Sequence, residues 1–308
     1  MKPALSVVFF TVSSGAGLGL LIWATLARLL QGPLPGFAVA VAMAAVLFTA
    51  GLLSSGLHLA NPRNGWRAFV RFRHSWLSRE AVFAVAVYPV AGLFLWADAH
   101  ALSGLAMVSG VLLVSLALLV LVCTAMIYAC LKTVPHWRNW QTVVAYPLFG
   151  LMSGALLWLT TSLGAAADQA LPGPPMRLGA MLALLLLAAG GALKLSYFLR
   201  FARATDLPSP NAAIGLPPGR VRVLDVGHSG RTFLTDEFVF ALARERARLL
   251  RWVALGLGFA LPGLLLAIAP RWTALAVTSC LAGLLVERWL FFAEARHVVR
   301  VYHGGGTQ

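Results

Sequence analysis

Eight separate runs of apolar residues, each about 20 residues long or longer, follow one another along most of this chain. An α-helix rises about 1.5 Å per residue, so a run of about 20 residues crosses the roughly 30 Å hydrocarbon core of a bilayer. The runs lack the apolar and polar alternation of barrel strands, so helices are the expected spanning elements. We predict membrane helices at about 5–27, 37–59, 80–99, 103–130, 142–164, 177–199, 250–270 and 272–297.

The composition requires a membrane environment, because hydrophobic residues make up 60% of the chain and charged residues only 11%. A soluble domain could not bury this much apolar surface. We therefore predict an all-α fold, a polytopic bundle of about eight transmembrane helices that forms a single domain over residues 1–308. A polar insertion at about 200–249 is too small for an enzyme domain. The first run is too long for a signal-peptide core and is expected to remain as helix one.

The formal net charge of +14 lies in short connections between the apolar runs and not on a folded basic domain. We therefore expect no nucleic-acid partner. Lysine and arginine concentrate near the termini and after predicted helices two, four and six, whereas the other connections hold only Arg28, Arg177 and Arg271. The positive-inside rule then places the termini and the basic connections in the cytoplasm.

Cysteines and histidines give no pattern for a metal centre. Cys123, Cys130 and Cys280 lie within apolar runs, without CxxC spacing, and an iron–sulfur cluster would need four thiolates. None of the seven histidines lies in the middle of a predicted span, so a facing pair that could hold haem is not expected. We predict no metal site and no haem in this chain.

Ionisable residues at the edge of a span are candidates for function, because their burial is unfavourable unless they are paired or hydrated. His58 lies at the end of predicted helix two, and Glu80 lies at the start of helix three, at the same membrane depth. An imidazole and a carboxylate that share one cavity can pass protons to a quinone, which takes up two electrons and two protons. Alternatively, both residues only cap their helices at the membrane interface.

The segment between these two residues interleaves aromatic and cationic side chains. Such a pattern is typical of an amphipathic helix at the membrane interface. It is also compatible with direct substrate binding or with docking of an acidic partner. We assign part of the segment to the mouth of a quinone site and part to partner docking. The first group is Trp66, Arg71, Arg73 and Trp76, and the second is Arg63, Arg67 and Arg79.

Other embedded residues favour structural roles. Lys194, near the end of predicted helix six, and Glu287, on helix eight, predict a buried ion pair, with a proton path as the alternative. Gly15 and Gly19 predict close helix packing. Small residues also leave room for a flat ring, so we include Ser14 in the quinone site.

Four segments carry a resemblance to a known family: 3–19, 57–80, 126–140 and 287–302. The second, LHLANPRNGWRAFVRFRHSWLSRE, is the most specific. In these segments the chain resembles the DmsC-type membrane anchor subunits of the dimethyl sulfoxide reductase family of molybdenum oxidoreductases. The resemblance implies that His58 and Glu80 correspond to the quinol-site histidine and glutamate of the family. Arg79 departs from the family pattern.

The resemblance also implies a three-part complex in the bacterial inner membrane. A catalytic subunit would hold molybdenum on two pterins, a ferredoxin-like subunit would hold iron–sulfur clusters, and this anchor would exchange electrons with ubiquinone or menaquinone. The charge bias places His58 towards the cytoplasm, which is similar to SoeC, the anchor of the cytoplasm-facing sulfite dehydrogenase. We therefore expect sulfite oxidation, with an anchor of a dimethyl sulfoxide or related reductase as the alternative.

Two further alternatives belong to other functional classes. A transporter would use Lys194, Glu287 and Arg288 to line a substrate path, but it predicts inverted repeats and broken helices that the sequence does not display convincingly. A structural tether would lack a quinone site altogether. Substitution of His58 separates these alternatives, because only the quinone hypothesis predicts a loss of quinone-linked turnover in an assembled complex.

Overall fold

The computed structural model describes residues 3–57, 62–165, 174–203, 217 and 246–298, and within them the chain forms eight long helices. All eight are long and apolar enough to cross a bilayer, so the predicted polytopic all-α bundle is confirmed and the chain is an integral membrane protein. The helices are α1 (Leu5–Gln31), α2 (Phe37–Gly56), α3 (Trp76–Ala99), α4 (Ser103–Ala129), α5 (Trp140–Ala165), α6 (Pro174–Arg203), α7 (Ala247–Ile268) and α8 (Thr273–Ala293).

Successive spans run in opposite directions, so the bundle has two faces. We call the face at which α1 begins and α8 ends the terminal face. Helices α3, α5 and α7 also begin at the terminal face, and α2, α4 and α6 end there. The other side is the opposite face. The predicted polar insertion lies mostly outside the described residues, between the end of α6 and the start of α7 at the terminal face.

Helix α1 lies at the centre of the bundle and packs against α2, α4, α5 and α8. Glycines permit its closest approach, to α5: a Cβ added at Gly19 would lie 1.8 Å from the Gly150 carbonyl oxygen. On the other side of α1, a Cβ at Gly17 would lie 2.8 Å from the Ala44 carbonyl oxygen of α2. The predicted close packing at Gly19 is therefore confirmed, and helix α1 is held between two neighbours by backbone contact.

Helices α3 and α4 form a tight pair, whereas α2 and α3 meet mainly through side chains. The hydroxyl groups of Thr49 and Tyr88 are 2.8 Å apart, and the Phe48 ring stacks on Tyr88 with the ring centres 5.5 Å apart. A 3₁₀ helix, Pro62–Phe69, lies in the connection and packs against α3. Ser75 then caps α3. The connection thus lies at the terminal face, beside a loosely packed helix pair.

Helix α7 contains a π-helical turn at Gly256–Ala260. Its Gly258 contacts Gly283 of α8 so closely that a Cβ added at Gly283 would lie 2.1 Å from the Gly258 nitrogen. A short 3₁₀ turn, Pro270–Trp272, joins α7 to α8, between the last two predicted spans. The π turn itself has no equivalent among the sequence predictions.

Candidate functional site

Glu80 is a buried carboxylate at the terminal-face end of α3, with 5% of its surface exposed. Ser75 caps the helix one turn earlier, which fixes the first turn and directs Glu80 towards α4. There the Thr124 hydroxyl donates a hydrogen bond to the Glu80 carboxylate. The same hydroxyl oxygen lies 3.0 Å from the Val120 carbonyl oxygen.

The Thr124 hydroxyl can form a hydrogen bond with Glu80 whether Glu80 is ionised or protonated. A hydroxyl group has one proton to donate and lone pairs with which to accept. When the Thr124 proton is directed to Glu80, it stabilises the carboxylate. When it is directed to the Val120 carbonyl, the Thr124 oxygen can accept a hydrogen bond from the protonated carboxyl group of Glu80. Thr124 was not predicted as a site residue, because an isolated threonine within an apolar run gives no signal of its partner.

A buried aromatic cluster continues from Thr124 towards the centre of the terminal face. Tyr128, one helical turn after Thr124, stacks on Tyr146 of α5, with the ring centres 5.7 Å apart. Tyr128 also contacts Phe291 and Phe292 of α8 edge to face. The Glu80 carboxylate lies close enough to interact electrostatically with both tyrosines. The cluster therefore separates Glu80 from the polar groups of α8.

Arg79 precedes Glu80 in the first turn of α3 and holds the preceding connection in place. Its guanidinium lies 4.3 Å from the Trp76 ring centre. It donates hydrogen bonds to the backbone oxygens of Phe72, at 3.1 Å, and Arg73, at 2.8 Å. Arg79, predicted to dock a partner, is thus half-buried and already bound within its own chain.

The other predicted residues of the connection lie on the surface, apart from His58, which is outside the described residues. Trp66 is 61% exposed, and the Arg67 guanidinium lies 5.8 Å from its ring centre. Together these side chains form a basic, aromatic surface beside the half-buried Trp76 and Arg79. The exposed cations are Arg63, Arg67, Arg71 and Arg73.

Ser14 lies in the contact between α1 and α2. Its hydroxyl donates to the Phe10 carbonyl at 2.6 Å, within its own helix. A Cβ added at Gly51 of α2 would lie 3.0 Å from the Ser14 Cβ. Ser14 therefore lies where α1 crosses α2, and its hydroxyl is already hydrogen-bonded within α1.

A second buried polar group connects α6 and α8. Lys194 and Arg288 both contact the carboxylate of Glu287, and none of the three is more than 4% exposed. The Arg288 Nη2 atom donates to Glu287 at 2.9 Å, and its guanidinium lies 4.4 Å from the Tyr146 ring centre. The Lys194 ammonium lies 3.9 Å from the Tyr197 ring centre. The predicted partners are in contact, and Arg288 adds a second cation.

Arg288 borders two small cavities, of about 20 Å³ and about 10 Å³. Each has room for about one water molecule and not for a quinone ring. The larger lies between α1, α5 and α8 and is also lined by Tyr146 and Ser153. The Lys194 group is therefore a packed ionic core at this end of the bundle.

Two further ion pairs were not predicted. Arg251 of α7 pairs with Glu294 at the terminal face, with an Nη2 to Oε1 distance of 2.8 Å. Arg28 pairs with Asp98 at the opposite face, with an Nε to Oδ1 distance of 2.9 Å. The signal for the second pair was present in the sequence, since Arg28 and Asp98 lie at the ends of predicted helices one and three, at the same face of the membrane.

His136 lies in the connection between α4 and α5 and is 7% exposed. Its ring stacks on Phe201, with the ring centres 4.5 Å apart, and its Nδ1 atom has no hydrogen-bond partner among the described residues. Burial, together with the nearby Arg296 and Arg251, lowers the pKa of His136 to about 4. The imidazole is therefore neutral at physiological pH. Within the described ranges, no group of three His, Cys, Asp or Glu residues could hold a metal ion.

Comparison with known proteins agrees with this architecture. The model of the DMSO reductase anchor subunit (DmsC) family matches residues 1–293. A sulfite dehydrogenase subunit from Allochromatium vinosum is 34% identical to this chain, in an alignment that covers 98% of the chain and 99% of the relative. No solved structure matches.

Proposed function

Because the chain belongs to the DMSO reductase anchor subunit (DmsC) family, we propose that it anchors a heterotrimeric molybdenum and iron–sulfur oxidoreductase and exchanges electrons with the quinone pool. A catalytic subunit would carry the molybdenum bis-pterin, and a ferredoxin-like subunit would carry the iron–sulfur clusters. This chain would then provide the quinone site and membrane attachment.

We propose that the complex oxidises sulfite. The similarity of this chain to a sulfite dehydrogenase subunit supports this proposal. Oxidation of sulfite with water to sulfate releases two electrons and two protons, and reduction of one quinone consumes both electrons. The concentration of lysine and arginine at the terminal face favours a cytoplasmic position for that face and its partners.

The observation that carries the quinone proposal is the buried Glu80 in contact with Thr124. Quinone reduction requires two protons at the quinone oxygens, and a buried carboxyl at the edge of a span can supply one of them. Thr124 keeps a hydrogen bond to Glu80 before and after proton transfer. His58, at the neighbouring end of α2, is proposed as the second proton donor.

The loose contact between α2 and α3 supports access from the lipid on the same side. Trp76 and Arg79 would border the opening. The exposed cations Arg63 and Arg67 are suited to a negatively charged iron–sulfur subunit, since complementary charges steer and orient docking. Partner and quinone would then meet at one face, which shortens the path of the electron.

Substitution in the assembled complex tests the proposal. Glu80→Gln is expected to lower quinone-linked turnover by about 100-fold or more, the usual range for loss of a proton-transferring group. Oxidation of the same substrate with a soluble dye as electron acceptor should stay unchanged. Asp98→Asn, at the opposite face, is the matched control. Normal quinone-linked turnover in Glu80→Gln would refute the role of Glu80, and His58→Gln tests the second group in the same way.

The family description also supports a second function, an anchor that oxidises menaquinol for a dimethyl sulfoxide or related reductase. The two functions differ in the direction of electron flow and in the substrate of the catalytic subunit. Turnover of the purified complex with sulfite and a quinone, compared with turnover with dimethyl sulfoxide and a quinol, distinguishes them.

A further inference from the structure

Helices α6 and α7 separate on their outer side and leave an apolar groove with a volume of about 510 Å³. Small residues create the space, because they carry little or no side chain where a leucine would otherwise fill the gap. They are Ala188, Gly191 and Ala192 on α6, and Ala260 and Gly263 on α7.

The floor of the groove is Phe259, which belongs to the π turn of α7. Phe259 is 5% exposed and points inward, towards Phe149 of α5, with the ring centres 5.4 Å apart. A Cβ added at Gly190 would lie 2.9 Å from its ring. Since Phe259 is held on both sides, it cannot move outward to fill the groove, and the space is a fixed feature of the packing.

The length of the groove corresponds to one leaflet. Its lining on α6 extends from Leu184 to Leu195, a rise of about 16 Å. This is about half of the roughly 30 Å hydrocarbon core. The lining occupies the middle part of both spans, and its Trp252 end is the one nearest the terminal face. An acyl chain of a lipid in the terminal-face leaflet would lie along it.

The outer end of the groove is basic. Trp252 lines the groove and is 65% exposed, as expected for an aromatic side chain at headgroup depth. Arg248 lies one turn before Trp252, on the same side of α7, and is exposed. It forms no salt bridge within the part of the chain that the structure describes, whereas Arg251 is paired with Glu294.

We propose that this groove is a binding site for an anionic phospholipid, with an acyl chain between α6 and α7 and the phosphate at Arg248. Basic pockets between membrane helices suit anionic headgroups, and the apolar groove requires hydrocarbon. The site is distinct from the proposed quinone site, because α6 and α7 pack against α5 and α8, whereas Glu80 lies between α3 and α4. Bound lipid would brace α7 at its π turn.

Native mass spectrometry of the detergent-purified complex tests the site. Phosphatidylglycerol and phosphatidylcholine with identical acyl chains are added at equal concentration. The complex is expected to retain phosphatidylglycerol with a preference of about fivefold, since one arginine contributes to the headgroup contact. Equal retention of the two lipids by the wild-type complex would overturn the proposal.

Two pairs of variants separate the acyl and headgroup contributions. Ala192→Trp fills the groove and should abolish the specific binding, whereas Ala189→Trp, on an exposed part of α6 outside the groove, should not. The variant Arg248→Gln should remove the preference for phosphatidylglycerol, whereas Arg177→Gln, at the opposite face of the bundle, should preserve it. The arginine variants leave the packing intact, so they test the proposal even if Ala192→Trp fails to fold.

Other occupants give other results. A quinone that copurifies with the wild-type complex and is lost in Ala192→Trp would assign the groove to an isoprenoid tail and refute the phospholipid. A lipid-free dimer that disappears in the same variant would assign it to a second copy of the chain.

Discussion

The hydroxyl of Thr124 and the carboxylate of Glu80 form a buried hydrogen bond between α4 and α3. Because the Thr124 oxygen is also within 3.0 Å of the Val120 carbonyl, its single proton can be directed to either oxygen. A carboxyl group that must bind and release a proton in an apolar environment gains from such a partner, since it remains hydrogen-bonded in both states. The proton-transfer role proposed for Glu80 depends on this pair.

Replacement of Thr124 by valine removes the hydroxyl and keeps the shape of the side chain. We expect quinone-linked turnover to fall by about 10- to 150-fold, because a lost hydrogen bond to a charged group is worth about 1.5–3 kcal/mol. Thr124→Ser should restore most of the activity. The comparison is Thr278→Val on α8, whose hydroxyl bonds only to the Ala274 carbonyl of its own helix. Equal turnover of Thr124→Val and wild type would show that the pair has no role in proton transfer.

We expect substitutions in the buried ionic cluster of Lys194, Glu287 and Arg288 to destabilise the protein by different amounts. Glu287→Gln leaves Lys194 and Arg288 without their shared carboxylate and should lower the free energy of unfolding by about 3–5 kcal/mol. Lys194→Met should have a smaller effect, because Arg288 still pairs with Glu287. Thermal unfolding of the purified complex measures both. The reverse order would mean that Lys194, and not Arg288, is the main partner of the carboxylate.

Gly19 is expected to tolerate no side chain. Its added Cβ would lie 1.8 Å from the Gly150 carbonyl oxygen, so Gly19→Ala must push α1 away from α5. We expect destabilisation of about 1–3 kcal/mol or more, the range for overpacking, and reduced assembly in the membrane. Gly92→Ala on α3, where nothing lies within 4 Å of the added carbon, should be neutral. A neutral Gly19→Ala would contradict the close α1 and α5 contact.

His136 predicts a pH-dependent loss of stability. Its pKa is about 4 in the folded chain, compared with about 6.5 when unfolded. Above pH 6.5 the imidazole is neutral in both the folded and the unfolded chain, so the free energy of unfolding has its full value. As the pH falls from 6.5 to 4, only the unfolded chain binds it, and the free energy of unfolding decreases by an amount on the order of 3 kcal/mol.

The variant His136→Phe keeps the ring stacked on Phe201 but cannot be protonated, so its unfolding temperature should depend less on pH over this interval. Identical pH profiles for His136→Phe and wild type would show that the imidazole is not protonated on unfolding.

The helices could be predicted from the sequence, because hydrophobic length alone determines where a chain crosses a bilayer. The predicted start of α4 at 103 agrees with the structure, and α3 begins four residues earlier than predicted because Ser75 supplies a cap. The π turn of α7 could not be predicted, since it depends on how Gly258 meets Gly283 of α8.

The candidate site was predictable only in part. Glu80 is identifiable because a carboxylate at the edge of an apolar run is unusual. Its partner Thr124 is 44 residues away in the chain, and nothing in the apolar run around it indicates which helix it faces. Similarly, the pairing of Lys194 with Glu287 could be predicted, because few charged residues lie within the apolar runs. The position of Arg288 over Tyr146 could not, because it depends on how α5 and α8 cross.

Photolabelling with an azido-quinone tests the central claim most directly, because it reports where the quinone head group binds in the assembled complex. The labelled peptides should come from the connection between α2 and α3 and from the first turns of α3, within residues 57–84. Excess unlabelled quinone should prevent the labelling, and Glu80→Gln should weaken it. Protected labelling of α6 and α7 instead, with none near Glu80, would contradict the proposed quinone site.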